Sequence, residues 1–220
     1  PLTTADVCFE VVKPATATRK CSYAELDAAP GESGLATAFV SHAWLYPFEW
    51  LVSALEAANL PADTLFWVDV AVVNQHVNAD RGFDWWSSTF RQAVKTIGRT
   101  LLVLAPWIAP VPLTRAWCIW EIFCTVDTDT ELRVLLPAAE RDAFATALVD
   151  DFDSIVKVVC AVDVEKAFLQ GMTMRRCTSR ASQRASRVKL RDMSLDRSTR
   201  HALWKDHRQR PHSFFFLHAF

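Results

Sequence analysis

At 220 residues and 51% hydrophobic content, the chain can bury one sizeable core, so the expectation is one domain with tails. The formal net charge of -1 hides an asymmetry: of 24 Lys and Arg and 25 Asp and Glu, 12 and 22 lie up to Gln170, and the remaining 12 and 3 follow it. The six cysteines form no C-x-x-C pair and have no histidine at zinc-finger spacing, which argues against a metal site or a disulfide framework and for reduced thiols in a cytoplasmic setting. No apolar run reaches the roughly 18 to 20 residues that span a bilayer, and Pro1 to Lys20 lacks the pattern of a secretory signal.

An N-terminal extension, residues 1–35, precedes the first element. Ala36 to Ser41 follows the turn-forming Pro30-Gly31-Glu32-Ser33-Gly34 and reads as a buried strand. From Pro47, the residues Trp50, Leu51, Ala54, Leu55 and Ala58 recur at helical spacing, with the proline suited to a first turn. Thr64 to Val70 is a near-continuous β-branched and aromatic run, predicting a strand covered on both faces, with Asp69 near its C-terminal end. A polar loop from Asn74 to Asp84 carries Gln75, His76 and Arg81. Trp85 to Gly98 predicts a helix with Phe90, Val94 and Ile97 on one side and Gly98 as its stop.

Arg99 to Ala105 predicts the third strand, ended by Pro106. Thr114 is placed to cap a helix through Cys124, and Glu131 to Leu136 reads as a fourth strand. Ala138 to Asp151 predicts a helix, whereas 154–162 fits either a fifth strand or a helix, with helix preferred. Strand and helix alternate three times over, which predicts an α/β, flavodoxin-like doubly wound parallel sheet of four or five strands. The domain spans 36–167. Residues 168–220 form a basic tail rich in Arg and Ser, expected to be a solvated and partly disordered segment. Contact of its arginines with an anionic surface is an open reading, with no nucleic-acid-binding or membrane signature beside it.

In open α/β sheets, ligands bind beyond the C-terminal strand ends. By that rule three groups converge: Ser41 and His42, Asp69 with the loop after it, and the 106–121 segment. Glu121 shares its helix with Trp117 and Trp120, so a carboxylate beside aromatic surface is one reading and a solvated carboxylate near a helix N-terminus is the other. His42 reads as a base beside Ser41 or as a structural histidine bonded to backbone. Scattered glycines disfavour a dinucleotide-binding fold or phosphate loop, and no Gly-x-Ser-x-Gly is present.

Together these segments resemble a TIR (Toll/interleukin-1 receptor) domain. Ala38-Phe39-Val40-Ser41-His42 is similar to the first-strand box of that family, and Thr114-Arg115-Ala116-Trp117-Cys118-Ile119-Trp120-Glu121-Ile122 is similar to its W-C-x-x-E helix. The wording also resembles a divergent TIR-like module of protist, algal and fungal multidomain proteins. The resemblance covers Ala36 to Leu136 and extends loosely to Ala167. It implies homotypic association with itself or other TIR-like domains and, in one branch, cleavage of the nicotinamide–ribose bond of NAD, which would then be substrate and not cofactor.

Carried over by motif, Glu121 would be the catalytic carboxylate, and Ser41, His42, Trp44, Asp69 and Trp117 are the candidates for substrate contact around it. Asn74, Gln75, His76 and Arg81 fall in the loop that gates and assembles the family. The chain departs from the pattern at His42, where arginine or tyrosine is frequent, and at Arg115-Ala116. Three functions follow as expectations: hydrolysis of NAD or a related nucleotide, a non-enzymatic signalling and assembly module using the same loops, or, as the weakest, a nucleoside-processing enzyme of related topology such as a deoxyribosyl transferase.

Overall fold

The computed structural model describes residues 1–26, 33–77, 83–163 and 166–167. Four parallel strands, β1 (Ala38–Ser41), β2 (Phe66–Trp67), β3 (Arg99–Val103) and β4 (Glu131–Leu135), form one sheet in the order β2-β1-β3-β4. Phe39 pairs with Trp67 on one side and Thr100 on the other, while Ser41 lies opposite Leu102. The helices are α1 (Thr4–Val7), α2 (Lys13–Thr16), α3 (Phe48–Glu56), α4 (Asp69–Val72), α5 (Phe83–Ile97), α6 (Ala116–Asp127), α7 (Ala138–Asp150) and α8 (Phe152–Cys160).

Strand alternation divides the core into two faces. Ala38, Val40, Phe66, Val68, Leu101 and Val103 pack with Leu51, Ala54 and Leu55 of α3 and Val70 and Ala71 of α4. On the opposite face, Phe39 and Trp67 meet Phe90, Ala93 and Val94 of α5 and Cys124 of α6. The Phe39 and Trp67 rings stack at 4.6 Å, and Phe90 meets Trp67 edge-on at 5.2 Å. Burying each such side chain contributes about 1.5–3 kcal/mol. The helical spacings around Leu51 and Phe90 therefore do face the sheet, and Gly98, with φ +78°, follows the last residue of α5 in the left-handed conformation that glycine adopts cheaply.

Several local expectations change. The hydrophobic run 64–70 is strand only at Phe66–Trp67, and Asp69 opens the helical turn α4 instead of ending a strand. Its hydrogen bond from the Val70 amide at 2.7 Å competes with strand pairing at this point. Thr114 does not cap α6: its hydroxyl donates to the Val111 carbonyl at 2.8 Å, inside a 3-10 turn (Val111–Thr114), and Arg115 stands at the cap position. The segment 152–160 is helix α8.

The N-terminal residues are not a separate extension. Val7, Cys8 and Val12, on α1 and the π-helical stretch that joins it to α2, belong to the first core cluster. Thr3 and Asp6 form a reciprocal capping box. The next amides of α1 are satisfied across the fold, Thr4 N–H by the Tyr46 carbonyl at 3.0 Å and Ala5 N–H by that of Trp44 at 3.1 Å. Helix termini carry such orphan donors. Here they clamp the loop that leaves β1.

Candidate functional site

The connection from β1 leads to β2 and the connection from β3 leads to β4, in opposite directions from the middle of the sheet. In open α/β sheets such a reversal, at the C-terminal ends of β1 and β3, is the usual place for a ligand. Ser41 is the last residue of β1 and lies on the same sheet face as Phe39, towards α6. Its Oγ donates to Glu121 Oε2 at 2.5 Å, a short bond of the kind seen when a carboxylate is the acceptor.

Glu121 sits one turn and a half into α6, and the helix is fixed at this level by Thr125, whose hydroxyl donates to the Glu121 carbonyl at 2.7 Å and shares a hydrogen bond with Thr100 of β3 at 2.9 Å. The pair is closed off: Ser41 is 1% and Glu121 6% exposed. Burial pushes the Glu121 carboxyl up to about 8. The Ser41 hydroxyl and the positive charge of Arg115 act against that rise, and the negative charge of Asp69 adds to it. Near neutrality, Glu121 is thus poised between its protonated and ionised forms.

His42 is the next residue and is buried, with Cys118 donating its thiol to the His42 carbonyl at 3.5 Å. Burial holds the imidazole below its usual pKa, and Asp69 opposes this while Arg115 reinforces it. Asp69 is a hub on the opposite wall: Oδ2 accepts the Trp44 indole N–H at 2.7 Å, and its carbonyl accepts the Gln75 side-chain amide at 3.0 Å. The carboxylates of Asp69 and Glu121 both act on the Cys118 thiol, which burial first of all pushes far above its ordinary value. Cys118 is therefore no nucleophile.

Five of the residues singled out in the sequence, Ser41, His42, Trp44, Asp69 and Glu121, are thus brought into one electrostatic neighbourhood. Trp117 lies at its side, its ring 5.9 Å from Phe90 of α5, and the Trp120 indole N–H donates to Ser87 of the same helix at 3.3 Å. These rings weld α6 to α5. Asn74 and His76 point elsewhere: the Asn74 amide donates to the Lys20 carbonyl at 2.6 Å, and His76 Nε2 is 2.8 Å from the Thr16 hydroxyl. The N-terminal segment therefore straps the first half of this loop. Arg81 lies outside the described residues.

Two contributors were not singled out. Arg115, at the cap of α6, supplies the positive charge felt by Glu121, His42 and Cys118. Tyr46 is buried and its hydroxyl both donates to the Ala105 carbonyl and accepts the Ala105 N–H at 2.9 Å, joining the loop after β1 to the end of β3. The signal for Arg115 was its place six residues before Glu121, whereas nothing in the spacing of Tyr46 marks a partner 59 residues away.

Among the described residues, no group of His, Cys, Asp and Glu is arranged to hold a metal ion. No described helix is long and apolar enough to cross a membrane. Comparison with family models, curated proteins and solved structures finds no match for the chain.

Proposed function

We propose that the chain is a TIR-like domain of flavodoxin-like, doubly wound architecture that hydrolyses NAD at the nicotinamide–ribose bond, with Glu121 as the catalytic carboxylate. The observation that carries this reading is the Ser41–Glu121 pair at the β1/β3 reversal, 2.5 Å apart and shut away from water. A carboxylate in such a place stabilises positive charge far better than one in solvent. As the C1′–N bond breaks, nicotinamide leaves with the bonding electron pair as a neutral base, and the ribosyl centre takes on oxocarbenium character. Water adds to C1′ and releases one proton, giving ADP-ribose.

The raised pKa fits this task. In the closed site burial favours the protonated acid, and the nicotinamide cation of NAD brings the positive charge that draws the carboxyl into its ionised form. Because Glu121 is only 6% exposed, the elements above it separate as the substrate enters, and assembly with further copies or other TIR-like domains is the event that favours the open form. Ser41, His42, Trp44, Asp69 and Trp117 surround the ligand.

The test is nicotinamide release by concentrated, assembled protein. Glu121→Gln keeps the shape and a hydrogen-bonding partner for Ser41 and is expected to lower turnover at least about 100-fold. In the wild type, kcat/KM rises with pH through an inflection near 8 as free Glu121 ionises, and kcat has its inflection lower. No turnover by assembled wild-type protein, or full turnover by Glu121→Gln, sinks the reading.

A specific observation supports the second reading, a non-enzymatic assembly module. Helix α8 buries none of its residues and exposes Phe152 (57%), Val156 (42%) and Val159 (62%). Such a contiguous apolar face suits a protein contact.

A further inference from the structure

Strand β4 is an edge of the sheet: among the described residues it pairs with β3 on one side and with no strand on the other. It runs in register with β3 from Glu131 to Leu135 without a bulge, and of its residues Leu135 alone is buried. A regular, exposed edge is a template for another strand, and proteins ordinarily blunt it with lysine, proline or a bulge. Residues 131–136 carry none of these.

Backbone direction and side-chain alternation define what this edge can receive. The Glu131 N–H donates to the Gly98 carbonyl at 3.4 Å, and the Leu135 carbonyl accepts the Leu104 N–H at 2.9 Å. Residues 131, 133 and 135 therefore turn their amide groups towards β3, and Leu132 and Val134 turn theirs outwards. The side chains of Leu132 and Val134 lie opposite Thr100 and Leu102, on the face where Thr100 bonds to Thr125 of α6. Helix α6 packs against β4 there and adds the exposed Phe123 and Val126 to the apolar surface. Glu131 and Arg133 stand on the other face. Each is held within its own chain, Glu131 Oε2 by Arg99 Nε at 2.8 Å and Arg133 Nη2 by the Ala58 carbonyl at 2.6 Å, so both head groups have a fixed place along the edge.

A strand of this pattern is complementary to itself. In a two-fold antiparallel pair, residue i faces j and j faces i. Only registers that set even-numbered residues against even-numbered ones keep the apolar faces together. Centring on Leu132 puts Leu132 opposite its own copy and Glu131 opposite Arg133, twice over. Centring on Glu131 or on Arg133 sets like charges against each other. Centring on Val134 leaves Arg133 against Leu135 and Glu131 against Pro137. Opposite charges facing across strands stabilise a pair and like charges destabilise it, which selects the first register.

We propose that two copies of the chain pair through β4, antiparallel and centred on Leu132, so that their two sheets become one. The outward Leu132 groups bond reciprocally, each N–H to the other carbonyl, and Leu132 with Val134 forms a continuous apolar strip beneath the charged pairs. A contact this short buries less than the roughly 1,200–2,000 Å² of a stable complex. The pair is therefore reversible, and in dilute protein the edge is bare. The pairing goes beyond the NAD reading and stands without it. It is also separate from the contact at α8, which packs on α7.

The experiment is sedimentation velocity of the full chain across a wide concentration range, where the wild type is expected to form a dimer as concentration rises. Glu131→Arg and Arg133→Glu should each weaken pairing about 10-fold or more, because each homodimer then sets like charges opposite one another. Mixed in equal amounts, the two variants again face opposite charges across the axis and should pair as the wild type does, a recovery that a folding defect cannot produce. Leu132→Cys tests the register without touching a charge. Antiparallel hydrogen-bonded positions lie about 5.5 Å apart at Cα, within reach of a disulfide. With oxidised glutathione this variant should give a linked dimer beyond any formed by the wild type, whose Cys160 is exposed. Val134→Cys, which faces Thr130 of the second copy, should not. A wild type that stays monomeric at every concentration, charge variants that pair undiminished, a mixture that fails to recover, or linkage at 134 in place of 132 overturns the proposal. Glu121→Gln, which tests the hydrolase, leaves this pairing intact, so each reading can fail without the other.

Discussion

The centre of the sheet and its β4 end treat side chains in opposite ways. At the ends of β1 and β3, polar groups are buried: Ser41, His42 and Glu121 lie at 1%, 5% and 6% exposure. At the far edge, apolar groups are exposed: Leu132 and Val134 of β4 at 38% and 51%, and Val149 of α7 at 82%. The ordinary tendency runs the other way on both counts. Buried polar atoms persist where a reaction or ligand needs a dry, oriented group, and exposed apolar surface persists where another surface covers it. On the proposed reading the two regions do two different kinds of work on one scaffold, chemistry in the middle and contact at the edge.

The sharpest way to break this comparison is along one register pair. Leu102 of β3 lies directly opposite Val134 of β4, yet Leu102 is 3% exposed. Leu102→Ala is expected to cost about 2–5 kcal/mol in chemical denaturation, whereas Val134→Ala costs about 0.5 kcal/mol or less. Equal losses would mean that the β4 edge is covered in solution.

Next in size is the pH dependence of stability. Glu121 has its pKa raised from 4.5 to about 8 in the fold, so its contribution is fully present below 4.5. As pH rises, the unfolded chain loses this proton first, and stability falls between 4.5 and about 8 by a few kcal/mol. Above that both states are ionised and the loss is complete. Glu121→Gln should flatten this part of the denaturation-versus-pH profile. A profile unchanged by the substitution would show that the carboxyl is hydrated.

Smaller again is Ser41→Ala, which removes the group that holds Glu121 down. About 1–2 kcal/mol of stability should be lost, and the inflection in kcat/KM should move to higher pH. The smallest effect on stability belongs to α8. Phe152→Ser with Val159→Ser should change unfolding by about 0.5 kcal/mol or less per site while reducing self-association seen by light scattering. Undiminished association would place the contact elsewhere.

Periodicity made much of the scaffold legible. The repeats at Leu51, Ala54 and Leu55 and at Phe90 and Val94 are set by the geometry of a helix lying on a sheet, and each contacts the core as its spacing requires. Asp69 and Thr114 were misplaced by one element because both have short polar side chains that bond to nearby backbone, and that local choice leaves no periodic trace. Residues 1–35 read as an extension outside the domain 36–167, yet Val7, Cys8 and Val12 pack into its core. Their place was decided by orphan helix amides meeting carbonyls about 40 residues away.

The sequence by itself determined that this is an α/β chain, that its strands are spaced for parallel pairing, and that Glu121 shares a helix with Trp117 and Trp120. Only the tertiary structure decided that Ser41 and Glu121, 80 residues apart, meet at 2.5 Å. It also decided that burial raises the Glu121 carboxyl, with Asp69 adding to the rise and Ser41 and Arg115 opposing it, and that His42 Nε2 is buried without a hydrogen-bond partner. The reason is physical. A repeat in sequence reports which face of an element is apolar, whereas pKa and hydrogen-bond partners depend on burial and distance, which exist only once the elements are packed.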